Sequence, residues 1–398
     1  MYLTSTTTIR IAVASDLHAH PGSDPSPSHL DTTLQEALTF HHPISALLDL
    51  IRKDSLTANL LLSPGDLGDK ANPAGVAYAW AALSKLATEL HCDVYAATAG
   101  NHDLDSRFNE TEYDPEHVLK GLTPSFPLQN ESLNDKYWAR AYSIRDANPV
   151  RLVLLNSSAY HGYTEIEKNH GRVSAQTLKH LASDLKVRGP MPLNILLCHH
   201  HPHQHSELEL GEADVMKHGQ QLLDLLGSGE YGRWLVIHGH KHHPKIAYAA
   251  GGSSSPTVFA AGSLCAILSG PLQTAARNQF YLIELDTAAC AQYGMVGTVQ
   301  AWDWSAGVGW IEAASMSSGL PARFGFGARI DPLILAAQIS NEVSNSDNVL
   351  SWEEICTRVR EAQFLLPQDL RELVRVLQTA HSQSVRFDGT RIVEVGKL

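Results

Sequence analysis

The chain is 398 residues long, 43% hydrophobic, and carries a formal net charge of −12 with histidine counted neutral. That length can bury a large core and suits more than one domain, and no uninterrupted apolar stretch is long enough to span a bilayer. The acidic balance argues against duplex nucleic acid as a partner, because affinity for it comes largely from Lys and Arg neutralising phosphates.

Met1-Tyr2-Leu3-Thr4-Ser5-Thr6 lacks the basic start and apolar core of a secretory signal, so the expected location is cytoplasmic. Ile9 to Ala14 reads as a strand and delivers Asp16-Leu17-His18. Pro21 to Ser28 is too rich in Pro, Gly and Ser for a regular element and reads as a loop beside that motif, placed to act as a lid. Ile44, Leu47, Leu48 and Ile51 recur at helical spacing, and so do Tyr78, Ala82, Leu83 and Leu86. Between and after these helices come two further strands, Leu60-Leu61-Leu62 running into Gly65-Asp66, and Val94 to Ala97 running into Gly100-Asn101-His102-Asp103. Tyr137 to Ser143 and Val150 to Ser157 read as strands joined through a turn-rich link, which suggests antiparallel pairing. Ser174 to Leu185 reads as a capped helix with Leu178, Leu181 and Leu185 as its apolar stripe.

Nine of the 22 histidines cluster in His199 to His205 and His238 to His243. Each cluster closes an apolar strand, Ile195 to Leu197 and Trp234 to Ile237, which is where an α/β fold presents functional groups. Thr257 to Ala260, Phe280 to Leu285 and Val296 to Trp304 complete the strands. Cys92, Cys198, Cys265, Cys290 and Cys356 have no paired spacing and read as reduced core residues.

Composition turns to Ser, Gly, Pro and Arg near Ser315, so the expected organisation is a catalytic unit over 1–315, a linker over 316–330 and a separate module over 331–398. Asp331-Pro332, Ser351 with Glu354, and Pro367 mark three helix starts, and Asp388-Gly389 marks a hairpin. Helices followed by a hairpin suggest a winged-helix-like module. Seven Lys/Arg against ten Asp/Glu disfavour DNA reading by it, leaving packing on the catalytic unit or a role in oligomer or protein contacts.

Chemistry decides what the five strand ends mean together. Asp16 and His18, two apart on an emerging strand, would face the same side and share a metal. Asp66 is an anionic oxygen suited to bridging two cations, Asn101 offers a neutral oxygen, and His200, His240 and His242 offer imidazoles. In order and spacing these residues resemble the calcineurin-like metallophosphoesterases, whose pattern is D-x-H, G-D, G-N-H-D/E, H and G-H-x-H. The resemblance spans about residues 8 to 310. It implies one metal held by Asp16, His18, Asp66 and His242, and a second held by Asp66, Asn101, His200 and His240. His200 is preferred for its His-x-Pro context, with His199 as the alternative.

The expected fold is α/β, a four-layer α-β-β-α sandwich of two mixed sheets followed by the small helical, winged-helix-like C-terminal module. Two divalent transition-metal ions are expected, with mixed N/O ligation favouring manganese, iron, zinc or cobalt over magnesium. Hydrolysis of a small phosphodiester would proceed by attack of a water held between the metals. His102 would assist the leaving group, with Asp103 orienting it. G-N-H-D and the compact H-H-P motif look most like the cyclic-nucleotide phosphodiesterase and glycerophosphodiesterase branch. The alternatives are a phosphomonoesterase, or a nucleotide- or phosphate-binding sensor or adaptor built on the same site.

Overall fold

The structure is a computed structural model that describes residues 8–34, 39–106, 108–109, 111–163, 170–204, 215–314, 318–346 and 349–398. Met1 to Thr6, His205 and residues 315–317 therefore lie outside the described residues. Two large mixed sheets form the centre. In the seven-stranded sheet, Thr8–Val13 pairs in parallel with Leu60–Ser63, which pairs in parallel with Val94–Ala97. On its other side Thr8–Val13 runs antiparallel to Gln279–Asp286, and Gly297–Ser305, Gly309–Glu312 and Arg323–Phe326 extend the sheet. The six-stranded sheet has a parallel core, Val150–Leu155, Leu193–Leu197, Trp234–His238 and Thr257–Ala260, edged by antiparallel Tyr142–Ala147 and Lys245–Tyr248.

Alternation along the second sheet sorts its side chains into two cores. Leu152, Leu154, Ile195, Leu197, Leu235 and Ile237 share one cluster with Ile11, Val13, Leu60 and Leu62 of the first sheet. Val153, Leu155, Leu196 and Val236 instead meet Leu181, Leu185, Leu222 and Leu226 from the helices Ala175–Arg188 and Gly219–Gly227. The first sheet is covered by Pro43–Asp54 and Pro73–Glu89, whose buried residues include Leu47 and Ile51, and Val76, Trp80 and Leu83. Each of these helices starts with proline behind a capping side chain, His42 to the Ser45 N–H and Asn72 to the Gly75 N–H, which aligns the helix start with the preceding loop. The result is the expected helix, sheet, sheet, helix layering.

Two local readings change. Tyr137 to Arg140 is the end of the helix Glu131–Arg140, not the start of a strand, and the strand begins at Tyr142. Tyr137 is fully buried, its hydroxyl accepting from the Ala99 N–H at 2.9 Å and lying 3.0 Å from Thr98 Oγ1, a tertiary tie that strand propensity does not register. The expected linker is likewise not free: Arg323–Phe326 pairs antiparallel with Gly297–Gln300.

Beyond it lie Pro332–Ser344, Trp352–Arg358 and Pro367–Ala380, with a three-stranded antiparallel sheet in the order Val349–Ser351, Arg391–Lys397, Gln383–Asp388. Ser351 and Glu354 form the capping box, and Asp331 caps Pro332–Ser344. Leu335, Ile339, Leu373 and Leu377 join the same core as Val299, Phe324 and Phe326. Backbone bonds from Gly325 N to Leu365 O (3.1 Å) and Ala328 N to Phe364 O (3.0 Å) stitch the two parts together. Among the described residues no helix is long and apolar enough to cross a membrane, and all five cysteines are unpaired.

Gly325 is where this docking is tightest, since a Cβ there would overlap the Gln363 carbonyl and crowd the Phe364 backbone. Gly325→Ala should lower stability by about 1–3 kcal/mol, the range for overpacking a close contact. Denaturant unfolding that leaves the midpoint unmoved would contradict this contact.

Candidate metal centre

The motif loops leave the strand ends in a way that simple strand alternation does not describe. The strand Thr8–Val13 stops before Asp16, and both Asp16 (φ 51°) and His18 (φ 47°) adopt left-handed backbone conformations. Asp66 (φ 53°), His240 (φ 79°) and His242 (φ 52°) do the same. Such conformations cost about 1–3 kcal/mol each for non-glycine residues, so they persist only where the surroundings enforce them. Here the loops enforce one another: Asp16 N donates to Gly65 O at 3.0 Å, His18 N to Asp66 O at 3.0 Å, and Ala19 N to Leu67 O at 2.9 Å. Gly65 (φ 118°) and Gly100 leave no room for a side chain, because a Cβ at Gly65 would lie 2.7 Å from Gly100 N, and one at Gly100 would overlap the Asp66 carboxylate.

This scaffold brings the predicted residues into one buried cluster around Asp66. His18 Nε2 lies 3.0 Å from His242 Nε2 and 3.7 Å from Asp66 Oδ2, and His242 Nε2 lies 3.5 Å from Asp16 Oδ1. On the other side His199 Nε2 lies 3.4 Å from Asp66 Oδ2, 3.0 Å from Asn101 Oδ1 and 3.2 Å from His240 Nδ1. Asp16 Oδ1 also accepts from the His240 N–H at 3.0 Å, and Asp66 Oδ1 from the His102 N–H at 2.8 Å. Potential ligand atoms fall within 4.8 Å of one another in four sets: Asp16, His18, His242; Asp16, Asp66, His199; His18, Asp66, His102; and His199, His200, His240.

Of the neighbouring histidines, it is His199 that reaches Asn101 and Asp66. His200 Nδ1 lies 2.9 Å from Ser157 Oγ, its ring centroid is 4.5 Å from that of His240, and its Nε2 is buried without a hydrogen-bond partner among the described residues. Gly171 backs this ring so closely that a Cβ there would overlap it.

Electrostatics at the centre favour ionised carboxylates. Burial opposes charge on both carboxylates, yet the surrounding imidazoles, His199 first, hold Asp66 well below the usual range, and His242 foremost lowers the pKa of Asp16. Burial likewise opposes charge on His199, but Asp66 outweighs it and pushes that imidazole up to about 9. His18 is pushed down to about 3, chiefly by burial. Two carboxylates and several imidazoles packed this closely, with their oxygen and nitrogen lone pairs converging, form a donor set suited to divalent cations of mixed N/O preference.

His102 and Asp103 divide differently from expectation. The Asp103 carboxylate does not orient His102: it accepts from Leu67 N (2.7 Å), Gly68 N (3.0 Å) and Gly100 N (2.9 Å), locking two motif loops together. His102 Nδ1 instead lies 3.0 Å from Asp69 Oδ1. Burial works against protonation of His102, but Asp66 and Asp69 prevail and raise its pKa. Asp69 is the neighbour of His102 that pattern reading did not single out, since it lies three residues after Asp66 without a period to signal it, whereas His199 was the named alternative to His200. The Pro21 to Ser28 loop is fastened beside the cluster, with His20 Nδ1 3.1 Å from Ser23 Oγ and Ser28 Oγ donating to His18 O at 2.9 Å.

Comparison with known proteins agrees with this site at the level of the family. No curated protein matches the chain. Solved structures similar to it include the purple acid phosphatase from yellow lupin (Lupinus luteus) seeds, with 12% identity, 82% of this chain covered and a TM-score of 0.45. This chain spans 55% of the length of that phosphatase. The NAD nucleotidase of Haemophilus influenzae is similar at 11% identity over 90% of this chain and 75% of its own, with a TM-score of 0.37. A 5'-nucleotidase precursor from Thermus thermophilus is similar at 12% identity over 70% of this chain and 51% of its own, with a TM-score of 0.34. The calcineurin-like phosphoesterase profile matches residues 9–244, more than half of the sequence and all five motif loops, and the chain belongs to that family.

Proposed function

We propose that the protein is a dinuclear-metal phosphodiesterase acting on a small phosphodiester such as a cyclic nucleotide. The position of Asp66 carries this reading, with Oδ2 3.7 Å from His18 Nε2 on one side and 3.4 Å from His199 Nε2 on the other, as a bridging ligand requires. Asp16, His18, Asp66 and His242 would hold one divalent transition-metal ion, and Asp66, Asn101, His199 and His240 the second. His199 takes the position first given to His200, whose contact with Ser157 suits a residue that supports the ligands from behind. Manganese, iron or zinc fits the donors. Bound there, such cations supply Lewis acidity, lower the pKa of water towards neutrality and offset phosphoryl charge.

The chain's own residues do the rest. Asp69 fixes His102 through Nδ1, which leaves Nε2 to give a proton to the departing oxygen. Side chains gathered at the centre are imidazoles, carboxylates and one carboxamide, a mixed N/O donor set that suits divalent cations. The C-terminal module, sharing its core with the first sheet, acts in this reading as a structural part of the catalytic unit.

Elemental analysis should find two transition-metal equivalents per chain, with one lost in His199→Ala and both kept in His200→Ala; the reverse pattern would return the ligand role to His200. The wild-type enzyme should hydrolyse bis-p-nitrophenyl phosphate faster than p-nitrophenyl phosphate, and the opposite preference would make it a monoesterase.

His102→Ala should keep both metals and lose rate by about 10²–10⁴ on substrates with poor leaving groups, the usual worth of a positioned general acid. The loss should shrink for p-nitrophenolate, which departs without a proton. Asp69→Asn should follow the same leaving-group trend more weakly, and uniform losses across leaving groups would reassign the pair to substrate positioning.

A further inference from the structure

The second sheet carries another polar cavity, of about 180 Å³, at the end opposite the metal centre. Trp234 lines it and begins the strand Trp234–His238, whose other end leads into Gly239 and His240. Strand rise alone separates the two ends by roughly 13 Å. Arg233 and Arg329 both line the cavity, and among the described residues no Asp or Glu does.

Both guanidiniums are held in place by neutral partners. Arg329 donates to Ser255 Oγ at 2.9 Å and Ser255 O at 2.5 Å, and lies 4.0 Å from the centroid of the Tyr248 ring. Arg233 donates to Ser253 O, and its side chain runs along Gly294, where an added Cβ would sit 3.7 Å from Arg233 Cγ and Nε. Neither has a carboxylate partner among the described residues. Burial, and then the like charge of Arg233, pushes the Arg329 pKa down. Trp234, which also lines the cavity, is 1% exposed and its indole Nε1 has no acceptor among the described residues.

Two like charges converging beside a buried, unsatisfied donor is an unfavourable arrangement for an empty cavity and a complementary one for an anion. Guanidinium forks match tetrahedral oxyanions in particular. The volume falls below the roughly 300 Å³ at which small-molecule pockets begin, so the ligand is small.

We propose that Arg233, Arg329 and Trp234 form a binding site for a small tetrahedral oxyanion, inorganic phosphate foremost, separate from the metal centre. A bound anion would join three parts of the chain. Trp234 opens a strand of the second sheet with Arg233 just before it, Ser253 and Ser255 belong to the turn between its last two strands, and Arg329 to the segment entering the C-terminal module. Phosphate at this site therefore reinforces the attachment of the module.

The test is calorimetric titration of the full-length, metal-replete protein with inorganic phosphate, comparing wild type with Arg233→Gln, Arg329→Gln and Trp234→Phe. Wild type should show a phosphate-binding class that Arg233→Gln and Arg329→Gln each weaken about tenfold or more, the scale of one lost charge-assisted contact. Trp234→Phe should weaken it without changing charge, and all three should retain wild-type metal content. Phosphate should raise the melting temperature of wild type more than that of the arginine variants. Should Arg329→Gln unfold through loss of its Ser255 bonds, Arg233→Gln and Trp234→Phe decide the matter. Isotherms identical in wild type and these variants would overturn the site. Competition by sulfate supports a small oxyanion, whereas tighter binding of glycerol 2-phosphate than of inorganic phosphate would overturn the assignment to the inorganic ion.

Discussion

Burial of the Asp66 carboxylate is the constraint on which the rest of this structure depends. One oxygen accepts from the His102 backbone, the other faces His18 and His199, and the residue is 1% exposed. An isolated anion in that position would be prohibitively costly, so positive charge must be brought to it. The loops meet that demand by giving up ordinary backbone geometry. Asp16, His18, Asp66, His240 and His242 all take left-handed conformations, and the Asp103 carboxylate spends its bonds holding loop N–H groups. Strain of this kind, concentrated on residues with ligand chemistry, is what a preorganised site looks like.

The two sheets make such precision possible. Parallel strands joined by helices send their loops out at one edge, so residues as distant in sequence as Asp16 and His240 arrive within hydrogen-bonding distance. Each sheet supplies part of the cluster: Asp16, His18, Asp66, Asn101 and His102 follow strands of the first, while His199, His240 and His242 follow strands of the second. The centre therefore sits on the seam between sheets. A tie such as His199 Nδ1 to Pro64 O, at 3.2 Å, crosses that seam and makes the relative placement of the sheets part of the chemistry.

The same economy extends to the C-terminus. Arg323–Phe326 adds to the first sheet, and the helices beyond complete a hydrophobic core that the sheet shares. An Arg391 to Glu312 ion pair closes the far side of that contact, although an exposed pair adds little beside the buried apolar surface. Compositional bias towards Ser, Gly and Pro thus marks a segment with special backbone needs, such as Gly325 and Gly327 (φ 103°), and not a flexible tether.

Much of this was legible in the residues themselves. Apolar runs ending in Asp, His and Asn announced the strands and the loops that follow them, because burial on both faces forces continuous hydrophobic sequence. Periodicity placed Pro43–Asp54, Pro73–Glu89 and Ala175–Arg188, and the cap at Ser174 lies where its hydroxyl could be read. Local pattern was silent where a partner lies far along the chain. Nothing near Tyr137 says that its hydroxyl will meet Ala99, and nothing in Gly325 that Gln363 will press on it. Three consecutive histidines have equal chemistry in sequence, yet the backbone turns His199 towards Asn101 and Asp66 and sets His200 between Ser157 and His240. His102 was likewise visible as a titratable group beside the cluster, but whether Asp103 or Asp69 faces it depends on how two loops cross. Sequence determined which chemical groups stand at the strand ends; the packing of two sheets determined which of them meet, because contact between separate loops depends on long-range geometry that no local period encodes.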